Sequence, residues 1–353
     1  VIVMAGGTGG HVFPALAVAQ ELRARGVSVS WLGTRRGIEA ELVPANQFPI
    51  NYIDVEGLRG KGVVKLLKAP FLLVRALWQA FGLLRQEHPD VVLGLGGFAS
   101  GPGGLAARML GLPLVIHEQN AVAGTTNKLL AKIASRVLEG FPGVLPGGEW
   151  TGNPVRSDIV RLAGPEQRIA QDDRPLRLLV LGGSLGALVI NQQIPEALSL
   201  LPGNQQLEVR HQCGKAHVAV TEEAYQTAVV KAHVIPFIAD MAEAYGWADM
   251  VICRAGALTV SELAAVGVGS LLIPYPHAID DHQTRNGEWL VKQGAAELIQ
   301  QEDLTAEKLA MLLQQWMGDK EKLRAMAVSA RQLAKPDVAE AIADICMEVC
   351  CER

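Results

Sequence analysis

Two Rossmann-like α/β domains with parallel sheets are what the sequence predicts, and three observations predict them. A glycine loop of one register, Gly-Gly-Thr/Ser-x-Gly, occurs twice, at Gly6 to Gly10 and at Gly182 to Gly186. Each loop joins a short apolar run to a helical pattern, the grammar of a strand, a tight turn and a helix. The 353 residues also exceed what one hydrophobic core usually serves, so two domains follow from size alone.

In the first half the pattern reads strand Val1 to Ala5, glycine loop, helix to about Arg25 and strand Val27 to Leu32, followed by strands Val91 to Leu95 and Leu114 to His117. The second half repeats it with strand Leu176 to Leu181, a helix to about Leu201, and strands Leu207 to Gln212, Met250 to Cys253 and Ser270 to Pro274. Helical patterns separate these runs, which implies parallel pairing. The turn chemistry of Thr151 to Val155 places a boundary near Val155. The expected domains are therefore 1–155 and 156–336. Pro336 interrupts the last helical region, so a final helix from Asp337 to about Val349 is expected to pack back on the N-terminal half, adding 337–353 to it.

Composition narrows the function. A chain that is 49% hydrophobic and only 5% aromatic suits sheets covered on both faces and disfavours a β-sandwich. A net charge of -4 gives no global reason to bind nucleic acid. The five cysteines have neither zinc-site nor disulfide spacing, and a reducing cytoplasm fits them. No signal peptide opens the chain, which starts on Val1 inside a strand, and a few residues are expected to precede it. The most apolar stretch, Val63 to Leu84, is broken by Lys65, Lys68, Pro70 and Arg75, so no transmembrane helix is expected.

Glycine loops between strand and helix admit a ligand close to the backbone, and the helix N-terminus favours phosphate. A third glycine-rich segment, Gly94 to Gly104, has the same setting. Neither repeated loop continues into the Gly-Lys-Ser/Thr of a phosphate-cleaving enzyme, so the phosphate is read as part of a carrier, a sugar nucleotide. His11 opens the first helix at the mouth of the strand ends, either as a general base or as a capping or packing residue. His117, Glu118 and Asn120 form a polar cluster at a strand end; because unpartnered buried charge is costly, they are expected to line the same cleft. Arg254 follows a strand, and Glu262 in the ensuing helix suits the two hydroxyls of a ribose, or simply the helix dipole. In Pro274 to Asn286, a metal reading of His277, Asp280, Asp281 and His282 is weaker than one in which Gln283 and Asn286 donate to sugar hydroxyls. Gly57 to Gln86 lacks acidic residues and sets Arg59, Lys61, Lys65, Lys68, Arg75 and Arg85 beside Phe71, Leu72, Leu77, Trp78 and Phe81. That is the pattern of a helix lying on an anionic membrane, or of a core helix with a basic outer side.

These strings, GGTGGHVFPALAVA from Gly6, GLGGFASGPGG from Gly94, HEQN from His117, GNPVR from Gly152, GGSLGA from Gly182, RAGALTVSE from Arg254 and DDHQTRN from Asp280, together resemble the MurG family of bacterial peptidoglycan N-acetylglucosaminyltransferases over essentially the whole chain. The resemblance implies a GT-B fold with an interdomain cleft, an N-terminal acceptor and membrane-facing domain, and a C-terminal donor domain. It implies inverting transfer of N-acetylglucosamine from UDP-N-acetylglucosamine to lipid I (undecaprenyl-pyrophosphoryl-MurNAc-pentapeptide), giving lipid II, with no metal or other cofactor. The expected location is peripheral, on the cytoplasmic face of the inner membrane, with cell-wall synthesis or division proteins as further partners. By motif, Thr8, Gly9 and Gly10 lie at donor and acceptor, Asn120 at the donor sugar, and Arg156 and Ser184 at the diphosphate. Ile238 holds uracil by its backbone; Ala257, Leu258, Thr259, Val260, Ser261 and Glu262 cradle phosphate and ribose; Gln283 binds the sugar. His11 is the candidate base, with Glu118 as rival. Leu185 stands where the family commonly has Gln, and Gly269 where it has Pro. A UDP-sugar epimerase of the same fold and a non-catalytic sugar-nucleotide-binding protein are the competing readings.

Overall fold

The computed structural model describes residues 1–55, 63–169, 174–183, 185–202 and 207–351, with backbone alone for 63–68. The chain divides into two compact units, Val1–Arg156 with Asp337–Arg353, and Ser157–Pro336.

The first unit is built on strands β1 (Ile2–Ala5), β2 (Ser30–Gly33), β3 (Ile50–Tyr52), β4 (Val92–Gly96), β5 (Leu114–Glu118), β6 (Arg136–Glu139) and β7 (Glu149–Trp150). Their order in the sheet is β3-β2-β1-β4-β5-β6-β7, and every pair is parallel. Successive side chains of a strand point to opposite faces, and both faces here are covered. Val3 and Ala5 pack with Val12, Ala15 and Ala19 of the helix Gly9–Ala24. Ile2 and Met4 pack with Ala80 and Leu84 of the helix Val63–Glu87 and with Ala106 and Ala107 of the helix Ser100–Met109. The final helix, Val338–Cys351, buries Ile342, Cys346 and Val349, one helical stripe, against the helix Gly9–Ala24. Arg25 pairs with Asp344 across that contact.

The second unit carries β8 (Leu176–Leu181), β9 (Leu207–Gln212), β10 (His233–Ile235), β11 (Met250–Cys253), β12 (Gly269–Leu272) and β13 (Ala296–Leu298). The order is β10-β9-β8-β11-β12-β13, again parallel throughout. Leu178 and Val180 meet Ile190 and Ile194 of the helix Leu188–Ser199, with Leu309, Leu313 and Trp316 of the helix Ala306–Gly318 in the same cluster. In both units the order reverses beside the strand that carries the glycine loop, so β1/β4 and β8/β11 are topological switch points, where open α/β sheets bind ligands.

The short strands β3, β7, β10 and β13, and β6, are absent from the sequence reading. β3, β7, β10 and β13, with two or three residues each, are too short to show as apolar runs, and β6 (Arg136–Glu139) begins and ends on a charged residue.

Two buried histidines link this fold to pH. His211 accepts from the Tyr225 hydroxyl at Nδ1 (2.9 Å) and donates from Nε2 to Asn191 Oδ1 (3.0 Å), and burial drags its pKa down to about 3. His117 is likewise lowered by burial. In the unfolded chain histidine titrates near pH 6.5, so below that pH the unfolded state binds more protons and stability falls with pH through the window from about 6.5 to about 3 for His211. Going from pH 7 to pH 5 is expected to cost about 2 kcal/mol through His211. Urea unfolding at both pH values measures it: His211→Gln, which cannot titrate, loses less on acidification by that amount, and an equal loss in both proteins refutes it.

Candidate active site

At the β1/β4 switch point the Gly6 to Gly10 loop leaves β1 and opens the helix Gly9–Ala24, whose N-cap Thr8 makes no side-chain capping bond. In its first turn the His11 N–H donates to the Thr8 carbonyl at 3.2 Å, and the Gly9 and Gly10 N–H groups, with no intrahelical acceptor, face outward for an anion. The loop is pinned from below by Glu39, which is fully buried. Its carboxylate accepts from Gly7 N at 2.8 Å, Thr34 N at 3.0 Å and Thr34 Oγ at 2.7 Å. Gly6, Gly33 and Gly37 make room for it, since a Cβ at any of them would come within 2.8 Å of that side chain.

The third glycine segment closes on the first. Gly97, at φ 88°, lies so near Gly6 that a Cβ there would sit 2.5 Å from the Gly6 carbonyl oxygen. Gly96, at φ 103°, lies beneath the His11 ring, where a Cβ would approach the ring to 2.8 Å. Ser100 Oγ, 2.7 Å from the Gly96 carbonyl and 3.1 Å from that of Met4, ties the segment to β1. His11 is half-buried, with Nδ1 2.9 Å from Gln119 Oε1. The structure thus gathers Thr8, Gly9, Gly10 and His11 with the exit of β5.

The polar cluster there departs from expectation. His117 and Glu118 are satisfied core residues, 0% and 2% exposed. The Glu118 carboxylate accepts from Asn120 N (3.0 Å), Asn120 Nδ2 (3.2 Å), Gly124 N (3.0 Å) and Asn127 Nδ2 (2.9 Å). The loop following the strand supplies the partners that the sequence left unaccounted for, so Glu118 anchors a loop instead of facing a ligand. Asn120 stays half-buried beside it. Arg156, half-buried, ends the long segment of the first unit.

In the second unit, Gln212 brackets the glycine loop: its Oε1 accepts from Gly183 N at 3.1 Å and its Nε2 donates to the Gly183 carbonyl at 2.9 Å. Ser184 lies outside the described residues, and Leu185 is 85% exposed. Across the β8/β11 switch point, the helix Ala257–Val266 begins at Gly256 with no side-chain cap and no acidic residue in its first turn. Its Ala257, Leu258 and Thr259 N–H groups are therefore available to an anion. Val260 is buried, Ser261 Oγ donates to the Ala257 carbonyl at 2.9 Å, and Glu262 accepts from the Tyr245 hydroxyl at 2.9 Å. Arg168 grips the other end of this helix, donating to the Val266 (2.9 Å) and Gly267 (2.6 Å) carbonyls; burial lowers its pKa to about 10.

Arg254 is a structural clamp, donating to the Ile273 and Pro274 carbonyls, both at 3.1 Å, and to Gln301 Oε1 at 2.6 Å. Gln283 Oε1 accepts from Tyr275 N at 2.9 Å, holding the turn after β12. Asn286, read from sequence as a sugar donor, is fully buried and donates to the Ala255 carbonyl at 3.2 Å. Ile238, half-buried, follows β10, two strands from the glycine loop. Among the described residues no three His, Cys, Asp or Glu side chains group to hold a metal.

Sequence reading missed Glu39, Gln119, Gln212 and Arg168. Glu39, Gln212 and Arg168 act on backbone groups that the fold brings to them, and Gln119 on the imidazoles of His11 and His117; only Gln119, inside the HEQN string, carried a local signal.

The helix Val63–Glu87 turns small residues inward. Ala69, Ala76, Ala80 and Leu84 are buried on one face, whereas Phe71 is 74% and Trp78 62% exposed, with Leu72, Leu73 and Val74 also exposed. The helix Ser100–Met109, packed against it, adds exposed Leu105 and Met109. Arg75 pairs with Asp54 at 2.7 Å and Arg85 is exposed. Arg59 and Lys61 lie outside the described residues, as do the side chains of Lys65 and Lys68. Among the described residues no helix is long and apolar enough to cross a membrane.

The dovetail of Gly6 and Gly97 sets a stability prediction. Gly97→Ala is expected to cost about 2 kcal/mol or more through the clash and the left-handed backbone, while Gly82→Ala, in open space on a helix, gains up to about 1 kcal/mol. Urea midpoints of the two variants check it, and equal effects would refute the dovetail.

The N-terminal domain of glycosyltransferase family 28 matches residues 1–139 and its C-terminal domain matches residues 177–342. The chain is 55% identical, over 99% of its length and 98% of the relative's, to a protein of Alkalilimnicola ehrlichii named UDP-N-acetylglucosamine--N-acetylmuramyl-(pentapeptide) pyrophosphoryl-undecaprenol N-acetylglucosamine transferase. It is 56% identical, with 99% and 98% covered, to a protein of the same name from Ectopseudomonas mendocina. Among solved structures, that of Acinetobacter baumannii MurG superposes with a TM-score of 0.87 at 45% identity, covering 98% of this chain and 99% of that one. With both halves matched and more than half of its residues shared along nearly its whole length with such transferases, this chain belongs to the MurG branch of glycosyltransferase family 28.

Proposed function

We propose that the protein transfers N-acetylglucosamine from UDP-N-acetylglucosamine to lipid I, forming lipid II. The observation that carries this reading is 53–56% identity, over 98–99% of the chain, to proteins named for that transfer. An epimerase or a non-catalytic binder of the same fold is disfavoured by those relatives.

The donor is assigned to the second unit. The anion-ready N-terminus of Ala257–Val266 and the glycine loop held by Gln212 take the diphosphate, Glu262 the ribose, the backbone at Ile238 the uracil, and Gln283 the sugar, to which Asn120 of the first unit is also assigned. The acceptor is assigned to the first unit, at the Thr8, Gly9 and Gly10 loop. His11 removes the proton of the acceptor hydroxyl as that oxygen attacks C1 of the sugar; the bond from C1 to the diphosphate oxygen breaks, UDP departs, and C1 is inverted. Backbone N–H groups and Arg156 meet the charge developing on the diphosphate, with no metal assigned. Glu118 is not assigned as the base, because its oxygens already serve four donors from the loop that follows it and from the helix Thr125–Leu130. The outward Phe71 and Trp78 seat the first unit on an anionic membrane, which brings the enzyme to a lipid-borne acceptor at the cytoplasmic face of the inner membrane. Cell-wall synthesis or division proteins are the further partners in this reading.

The test is transfer of radiolabel from UDP-N-acetylglucosamine in the presence of chelator, with and without a lipid I analogue. Label is expected in the lipid only when acceptor is present; consumption of donor alone points to an epimerase, and binding without turnover to a non-catalytic protein. His11→Ala is expected to lower kcat on the order of 10²- to 10⁴-fold with UDP affinity unchanged.

Membrane seating is tested by co-sedimentation with vesicles containing anionic lipid. Each buried aromatic is worth about 1.5–3 kcal/mol, so Phe71→Ser with Trp78→Ser is expected to weaken binding more than tenfold while turnover of a water-soluble acceptor analogue persists. Undiminished vesicle binding would contradict it.

A further inference from the structure

Gln119 lies between two imidazoles with 1% of its surface exposed. Its Oε1 is 2.9 Å from His11 Nδ1, and its Nε2 is 3.2 Å from His117 Nδ1 and 3.2 Å from the His117 carbonyl oxygen. The other end of this chain of contacts is a backbone group, the Gly152 carbonyl, 2.8 Å from His117 Nε2.

Proton positions follow from that fixed end. A carbonyl oxygen only accepts, so His117 Nε2 carries a hydrogen. His117 is completely buried and neutral, burial having lowered its pKa, so its Nδ1 is bare and accepts. The group facing both this nitrogen and the His117 carbonyl must then be the NH2 of Gln119. The opposite amide orientation would set Oε1 against a carbonyl oxygen and require a buried imidazolium. With the NH2 committed to His117, Oε1 faces His11, and because an amide oxygen only accepts, His11 carries its hydrogen on Nδ1. A neutral His11 therefore presents a bare Nε2.

We propose that Gln119 is a positioning residue that locks His11 in the tautomer whose Nε2 takes the proton of the acceptor hydroxyl. The inference rests on the reading of His11 as base and adds which nitrogen acts and what holds it. The lock is itself held: Asn153 Nδ2 donates to the Gln119 carbonyl at 3.0 Å, and Gly96 leaves room for the imidazole. When Nε2 takes the proton, the bond from Nδ1–H to Oε1 becomes charge-assisted, so Gln119 stabilises the imidazolium without accepting its proton. The Gly152–His117–Gln119 chain thus plays, with neutral groups, the part that a carboxylate plays in orienting a catalytic histidine.

Long-range 1H–15N spectra of the protein labelled in its histidine rings, recorded where His11 is neutral, read the tautomer directly. The native ring is expected as Nδ1–H, with Nε2 unprotonated; an Nε2–H ring in the native protein overturns the lock without any variant having to fold. In Gln119→Met, of similar length but unable to accept from Nδ1, the ring is expected to lose that preference. The variant's kcat should fall on the order of 10- to 100-fold, the range for groups that orient a functional side chain, with KM for UDP-N-acetylglucosamine within about twofold of native. An unchanged tautomer or an unchanged kcat in that variant overturns the proposal. Native turnover by His11→Ala overturns the reading of His11 as base, and with it the purpose of the lock, whereas the ring spectrum decides separately whether the lock exists.

Discussion

Backbone N–H groups that leave the C-terminal edge of a sheet must find acceptors, and in the first unit buried carboxylates provide them. Glu39 holds Gly7 and Thr34, Glu118 holds Asn120 and Gly124, and Glu139 holds Gly143 and Leu145 at 2.8 and 2.6 Å. Glu118 and Glu139 are register partners on adjacent parallel strands, and all three glutamates are at most 2% exposed. A buried carboxylate is costly unless hydrogen-bonded, so each of these loops is tied to one geometry by the penalty of leaving it. The glycine loop, the β5 exit and the loop after β6 inherit their shapes from that constraint.

Glycine supplies the complementary half of the design. Charged anchors fix where the loops run, and missing side chains let them run close together: Gly97 against Gly6, and Gly96 beneath His11. A candidate base is thereby set on a stacked pair of glycine segments at the β1/β4 switch point and faced from the side by Gln119, just beyond β5. The second unit reaches a similar end with a neutral amide, Gln212 on Gly183, and with Arg168 gripping the carbonyl end of the helix whose amide end faces the switch point.

The helix Val63–Glu87 solves a different problem. A helix that buries alanines can approach its neighbour closely, and the apolar area needed for packing comes from the partner helix Ser100–Met109 and the sheet beneath. Phe71, Leu72, Leu73, Val74 and Trp78 are then free to face outward, while Leu77, Phe81 and Leu83 pack partly against the core. The result is an apolar surface that costs the fold little, on a protein in which the described residues include no membrane-spanning helix.

The sequence by itself determined the fold class, because apolar runs of four to six residues alternating with helical patterns leave a local trace in the chain. β8, β9 and β11 fall where that trace puts them. It also determined the two glycine loops and the helix starts beside them, since φ preferences and free helix N–H groups are local properties. Only tertiary structure decided what the polar residues do. Glu118 and Asn286 looked available because their partners, backbone groups and the amides of Asn120 and Asn127, are supplied by the fold, and such partners leave no pattern in the chain. Glu39 and Gln119 stayed unread for the same reason: a carboxylate 32 residues from the N–H it holds, and an amide 108 residues from the histidine it faces, are brought into range by the order of strands in the sheet.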